Sequence, residues 1–260
     1  MAEDQTGKPQ GWWRAFHEKF VVEERFMSEP ARRNLYRIAV GLMVLGAVLF
    51  FVILAGVLQQ GGISASDEPV RTWLLTLRSE PTTTIMIILA IVFGPIGLPI
   101  IVLVVTVAWG FLAKHAWRPI LLAGAMLTGV ILAEIIGHAV ERHRPPVDLM
   151  LFGADSTFSF PSGHVLGACD FLLVTTFLIF SRRSNSKSAV VGFIVAGVGV
   201  FFAAVSRLYL GYHWMTDALA SISISLVVLG AAMALDTWRT ARIRGEQVTG
   251  TLSAADSGQD

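Results

Sequence analysis

Charge is what this sequence is short of. Lys, Arg, Asp and Glu make up 15% of its 260 residues, where soluble domains carry roughly a quarter. The few charges leave long apolar blocks that reach the roughly 20 residues a membrane span needs. That excludes a soluble domain with a large core, and a polytopic membrane protein is expected. Cysteine is nearly absent. The single Cys169 excludes an internal disulfide framework, and its apolar neighbours mark it as a small core residue. The net charge is only +1, and there is no basic cluster of the size a nucleic-acid backbone requires, so no nucleic-acid partner is expected. A cleavable leader is not expected either. The first apolar block begins near Tyr36, far from Met1, and is long enough to be retained as a span.

What is present is a set of apolar blocks at about 36–58, 84–110, 119–138, 163–181, 189–208 and 214–235. They imply an all-α bundle of six transmembrane helices. The second block is uncharged from Glu80 to Lys114, too long for one straight span and too short for two. With Gly94-Pro95 and Pro99 at its middle, one kinked or partly interfacial helix is expected. Six crossings place all but five of the 20 Lys and Arg on one side, which should be the cytoplasm together with both termini. Arg71, Arg78, Arg142, Arg144 and Arg207 remain on the other side.

The expected organisation is a cytoplasmic amphipathic segment at 1–35, a cell-membrane domain at 36–238 and a disordered cytoplasmic tail at 239–260. Residues 11–27, with Trp12, Trp13, Phe16 and Phe20 among charges, suit either an interfacial helix or a mobile tail. Val70, Trp73, Leu74 and Leu77 recur at helical spacing after Asp67-Glu68-Pro69, which fits a short helix on the outer surface.

Three polar islands interrupt the apolar pattern, all at span ends on the non-cytoplasmic side. They are Glu141-Arg142-His143-Arg144-Pro145, Pro161-Ser162-Gly163-His164, and Ser206-Arg207 with His213 and Asp217. Ionisable groups near hydrocarbon are costly and default to a functional reading. Arg144 and Arg207 offer planar donor forks suited to phosphate oxygens. Ser162 and Gly163 open the fourth span, where free backbone N–H groups and the helix dipole favour an anion. His213 and Asp217, four apart, share a helix face, and a carboxylate behind an imidazole raises its basicity. One histidine can then attack phosphorus and the other protonate the leaving oxygen. The residue types alone leave open which does which. No metal and no cofactor is expected, since no Cys or further carboxylate joins the cluster. Glu134 and Asp170, inside apolar spans, read as buried interhelical hydrogen bonds, and Glu141 and His143 as solvated loop residues.

These motifs resemble the type 2 phosphatidic acid phosphatase superfamily, which also includes glucose-6-phosphatases and vanadium haloperoxidases. Its third motif is Ser-Arg, five residues, His, three residues, Asp, and Ser206-Arg207, His213 and Asp217 fit every position. Its second, Pro-Ser-Gly-His, is Pro161 to His164. Its first is Lys, six residues, Arg-Pro. Arg144-Pro145 match the end, but Gly137 stands where the Lys would be. The resemblance runs from about residue 67 to 235.

It implies that His213 attacks phosphorus to give a phosphohistidine, Asp217 orients His213, and His164 protonates the leaving group. Arg144, Arg207, Ser162 and the Gly163 amide then hold the phosphate oxygens. The implied substrate is a lipid phosphate monoester or diphosphate met at the outer face of the bilayer: an isoprenyl diphosphate, phosphatidylglycerophosphate or phosphatidic acid. His138 and Arg142 are candidates to replace the missing Lys. The alternatives are a lipid phosphotransferase using the same intermediate and a catalytically impaired lipid-binding protein.

Overall fold

The computed structural model describes residues 19–181, 186–247 and 252–255. Its helices are α1 (Glu29–Leu58), α2 (Asp67–Thr76), α3 (Glu80–Val92), α4 (Gly97–Leu112), α5 (Trp117–Val140), α6 (Gly163–Phe180), α7 (Ser186–Tyr209) and α8 (Met215–Thr240). Among the described residues α1, α5, α6, α7 and α8 are each long and apolar enough to cross a membrane. α3 and α4 meet that test only as a pair, bent by 50° at a short break. Counting the pair as one span gives the expected six-helix bundle. The break falls at Gly94-Pro95. A proline there removes a backbone donor, while Pro99 sits in the first turn of α4, where that donor is not needed.

Two helices outrun their apolar blocks. α1 starts before Tyr36 because Ser28 caps it, accepting the Ala31 N–H at 3.4 Å, with Pro30 in its first turn. Its first turns therefore carry Arg32, Arg33 and Arg37 as helical residues. α8 likewise continues to Thr240.

α8 is the axis of the bundle, packed by α1, α5 and α6. Its buried face is made of small residues, among them Ala218, Ala220, Ser221, Ser225 and Gly230. Lipid gives helices no hydrophobic reason to associate, so close backbone approach has to do it. A β-carbon on Gly230 would stand 2.5 Å from the Ala39 carbonyl of α1. The outward faces are apolar, with Val52, Leu103, Phe111 and Val195 exposed as a lipid solvent requires.

One end of the bundle is closed by a small parallel sheet of β1 (Val22–Met27), β2 (Ala241–Ile243) and β3 (Ser253–Ala255), in the order β2-β1-β3. This corrects two expectations. The described part of the 11–27 stretch includes a strand, and the expected disordered tail at 239–260 contributes two more. Residues 11–18 lie outside the described residues. The cause is Glu24, which alternation turns inward beside Val22. Its fully buried carboxylate takes Arg239 at 3.2 Å and Arg242 at 2.8 Å, fastening the N-terminal strand to the end of α8. Lys19 also caps α4, donating to the carbonyls of Gly110 at 3.1 Å and Phe111 at 3.0 Å, where the helix dipole favours a cation.

The other end gathers α2, the 141–162 segment and the turn from Leu210 to Trp214. All three polar islands meet there.

Candidate active site

His213 sits in the turn between α7 and α8, 4% exposed. Its Nδ1 lies 2.8 Å from the Ser159 carbonyl and 3.4 Å from Asp217 Oδ2. Both partners only accept, so Nδ1 carries the proton and Nε2 the lone pair. The shorter bond goes to a backbone carbonyl. Ser159 is thus the main holder of the tautomer, and sequence reasoning, which credited Asp217, had no side-chain signal by which to find it. Nε2 accepts a hydrogen bond from Arg144 Nη1 at 2.9 Å. Burial, then the nearby Arg144 and Arg207 cations, keep the His213 imidazole neutral well below the ordinary histidine range.

Asp217 is fully buried in the first turn of α8. Its Oδ2 accepts the Trp214 N–H at 2.9 Å, and its Oδ1 accepts Arg142 Nη1 at 2.6 Å. Arg142 also donates to Thr216 Oγ1 at 2.7 Å, and its Nη2 to Asp67 Oδ2 at 2.7 Å. Its fork is therefore committed to Asp217 and Asp67. His138 points the other way. Its side chain is 71% exposed, and its Nδ1 lies 2.8 Å from the Glu134 carbonyl of its own helix. Neither of the two candidates for the missing Lys is turned into the site. A β-carbon on Gly137 would face the Phe160 carbonyl at 3.5 Å.

Arg144 makes four hydrogen bonds and one ion pair. Nε meets the Thr157 carbonyl at 3.0 Å, and Nη1 meets the Tyr212 carbonyl and His213 Nε2, both at 2.9 Å. Nη2 meets Thr157 Oγ1 at 2.8 Å and Asp155 Oδ2 at 3.0 Å. Asp155 was not anticipated. Burial opposes its charge, but hydrogen bonds from Thr157 and the Arg144 cation outweigh this and hold its carboxyl below the usual range.

Arg207 ends α7, 4% exposed, with its guanidinium carbon 4.3 Å from the centre of the Tyr212 ring. Its Nε is buried without a hydrogen-bond partner. No carboxylate is within ion-pair distance of it among the described residues. Ser162 immediately precedes α6, and its buried Oγ also lacks a partner. Its backbone is tied to α8, the Ser162 carbonyl accepting Ser221 Oγ at 2.9 Å. A β-carbon on Gly163 would meet nothing within 4 Å, so the start of α6 is open to an approaching group. His164, in that first turn, faces the α3–α4 break, with Nε2 3.3 Å from where a β-carbon on Gly94 would lie. It is within electrostatic reach of His213, Arg144 and Arg207.

A cavity of about 540 Å³ runs inward from His164 between α4, α5 and α6, walled by Leu98, Val102, Met126 and Val130. Glu134 also lines it with a 73% exposed side chain, which corrects the expected buried interhelical hydrogen bond. Asp170 is buried deeper in α6 against Gly129.

The arrangement joins a neutral imidazole presenting Nε2, a second imidazole, two guanidinium groups and an open helix start. Such a set can bind a tetrahedral oxyanion and pass it through a nitrogen nucleophile.

Residues 118–241 match the family model described as PAP2 superfamily. Phosphatidylglycerophosphatase B of Bacillus subtilis (strain 168) is 30% identical over 182 residues, covering 69% of this chain and 88% of that protein. The protein of the same name from Escherichia coli (strain K12) is 35% identical over 107 residues, 41% of this chain and 39% of that one. Among solved structures, the transmembrane PAP2-type phosphatidylglycerolphosphate phosphatase from Bacillus subtilis superposes with a TM-score of 0.65 at 25% identity. That match covers 75% of this chain and 96% of the other.

Proposed function

The chain belongs to the PAP2 superfamily, and from that membership we propose that it is an integral membrane phosphatase hydrolysing a lipid phosphate monoester or diphosphate through a phosphohistidine on His213. The observation that carries the reading is the orphaned pair, Arg207 Nε and Ser162 Oγ. Buried polar groups are almost always satisfied, and one phosphoryl group would satisfy both.

The geometry supports the following steps. The phosphoryl oxygens take Arg207, Ser162, the backbone N–H groups at the start of α6, and donors released by Arg144. Arg144 Nη1 then leaves His213, freeing the Nε2 lone pair. Nε2 attacks phosphorus, the bond from phosphorus to the ester oxygen breaks, and His164, protonated as the phosphate dianion binds beside it, delivers that proton to the leaving oxygen. The Ser159 carbonyl and Asp217 stabilise the positive charge arising on the imidazole. Water then attacks the phosphohistidine and gives its proton to His164. Inorganic phosphate leaves, and both histidines return to their starting states.

The apolar cavity leading from His164 supports a substrate whose tail stays in lipid. The basic-residue count supports a site on the outer face with cytoplasmic termini. The names of the relatives support phosphatidylglycerophosphate as the first substrate to test.

The test is phosphate release by purified protein in detergent, with chelator present. The panel would be phosphatidylglycerophosphate, phosphatidic acid, an isoprenyl diphosphate and a water-soluble phosphate ester. Release from a lipid with no added acceptor is expected. Turnover that requires an acceptor alcohol would replace the hydrolase with a phosphotransferase. Binding without turnover would leave an impaired lipid-binding protein.

Asp155 supplies a second expectation. A phosphoryl group that takes over the charged partner of Arg144 Nη2 must displace the Asp155 carboxylate. Charge-assisted hydrogen bonds exceed neutral ones by about 1 kcal/mol, or about fivefold in affinity. Asp155→Asn is therefore expected to lower the inhibition constant of inorganic phosphate by about that factor. A weaker inhibition by phosphate would mean that Asp155 helps to build the site rather than compete for it.

A further inference from the structure

Asp67 opens α2, far in sequence from every motif, yet it is only 5% exposed and makes three bonds at the heart of the site. Its Oδ1 accepts the Thr216 N–H at 2.9 Å. Its Oδ2 accepts Thr216 Oγ1 at 2.6 Å and Arg142 Nη2 at 2.7 Å. Thr216 is in the first turn of α8, whose N–H groups have no partner within the helix. Asp67 thus caps α8 from a distant segment and shares a guanidinium with Asp217.

We propose that Asp67 is a positioning residue for catalysis, setting both the place and the effective charge of Asp217 behind His213. This rests on the reading of His213 as nucleophile. The argument is one of charge. Arg142 fixes Asp217 at 2.6 Å, but by itself it would neutralise the carboxylate that the imidazole needs. With Asp67 on the other side of the fork, two carboxylates share one guanidinium, and the group facing His213 carries one net negative charge. That charge raises the basicity of Nε2 and stabilises the imidazole once it bears a phosphoryl group. Asp67 touches neither imidazole nor phosphate and acts only through Arg142, Thr216 and Asp217. It also ties α2 to the site.

The test is a double-mutant cycle on the full chain in detergent, with phosphatidylglycerophosphate as the assayed lipid. Asp67→Asn is expected to lower kcat about tenfold, within the range of couplings in one hydrogen-bonded network, with KM changed by less than about twofold. In an Asp217→Asn background the same substitution should cost less than about twofold, because its route to His213 is already cut. Independent, multiplying losses, or a loss confined to KM, would overturn the proposal.

A pH profile separates positioning from mere support. His213 is faced by Arg144 and Asp155 from the 141–162 segment, by Arg207 from α7, by Asp217 from α8 and by His164 from α6. Of the variants above, Asp67→Asn removes a negative charge outside that ring, so the acid limb of kcat/KM should move to lower pH. Asp67→Glu, which restores the charge, should return the limb to its wild-type position even if kcat stays low. An unmoved limb in Asp67→Asn protein of unchanged thermal stability would reduce Asp67 to a helix cap. If Asp217→Asn leaves kcat intact, the His213–Asp217 reading itself fails, and Asp67 falls with it.

Discussion

His213→Ala is expected to abolish phosphate release, by on the order of 10⁴-fold or more, if His213 is the nucleophile as proposed. Affinity for inorganic phosphate should survive, because Arg207, Ser162 and the start of α6 remain. The wild-type enzyme quenched during turnover of a lipid labelled in its terminal phosphate should carry label on a histidine, and the variant none. The pH profile gives a third readout. Burial, then Arg144 and Arg207, depress the His213 pKa below its ordinary value of 6.5. A depressed pKa means the neutral, attacking form persists as pH falls through 6.5 and is lost only when pH reaches the lower folded value. The acid limb of kcat/KM, which reports the free enzyme, should therefore lie below 6.5. An acid limb at or above 6.5 that belongs to His213, or a His213→Ala variant still forming a labelled histidine, would remove His213 from the nucleophile's place.

The contrast between what was legible and what was not is physical. The membrane-spanning helical bundle was readable because lipid imposes a length and an apolarity on every span. The break at Gly94-Pro95 was readable because proline removes a donor. His164, Arg144, Arg207, His213 and Asp217 stand out in the sequence because ionisable side chains are costly near hydrocarbon, and the fold brings them to one end of the bundle.

Three groups escaped for three different reasons. The Ser159 carbonyl, 2.8 Å from His213 Nδ1, is backbone and has no sequence signature. Asp155 sits in a loop where an acidic residue reads as solvated surface. Asp67 lies at a separation of 75 residues from Arg142, in an Asp-Glu-Pro string that reads as an ordinary helix start. Only the tertiary fold turns it inward. The sheet of β1, β2 and β3 was missed because the burial of Glu24 depends on arginines more than 200 residues away, at separations of 215 and 218.

Arg142 joins these threads, and its removal is the second large expected effect. It bonds both Asp67 Oδ2 and Asp217 Oδ1, at 2.7 and 2.6 Å, and both carboxylates are buried. Breaking a buried pair by removing one partner typically costs about 3–5 kcal/mol, because the remaining charge is left uncompensated. Arg142→Ala strands two such charges and also loses the cation–π contact with Trp214. A heavy loss of thermal stability in detergent is expected, read as a shortened half-life at fixed temperature, since membrane proteins often unfold irreversibly. Activity should fall at least as far as in Asp217→Asn.

Arg142→Lys should recover part of the stability and little of the rate. An ammonium supplies a point charge, but it lacks the planar fork that spans two carboxylates on opposite sides. The informative variant is the triple removal of charge, Asp67→Asn with Arg142→Gln and Asp217→Asn. Without buried charges to strand, it should be more stable than Arg142→Ala alone while remaining nearly inactive. Stability that tracks activity across this series would mean the network only holds the fold. Stability that recovers while activity does not would assign the network to the nucleophile.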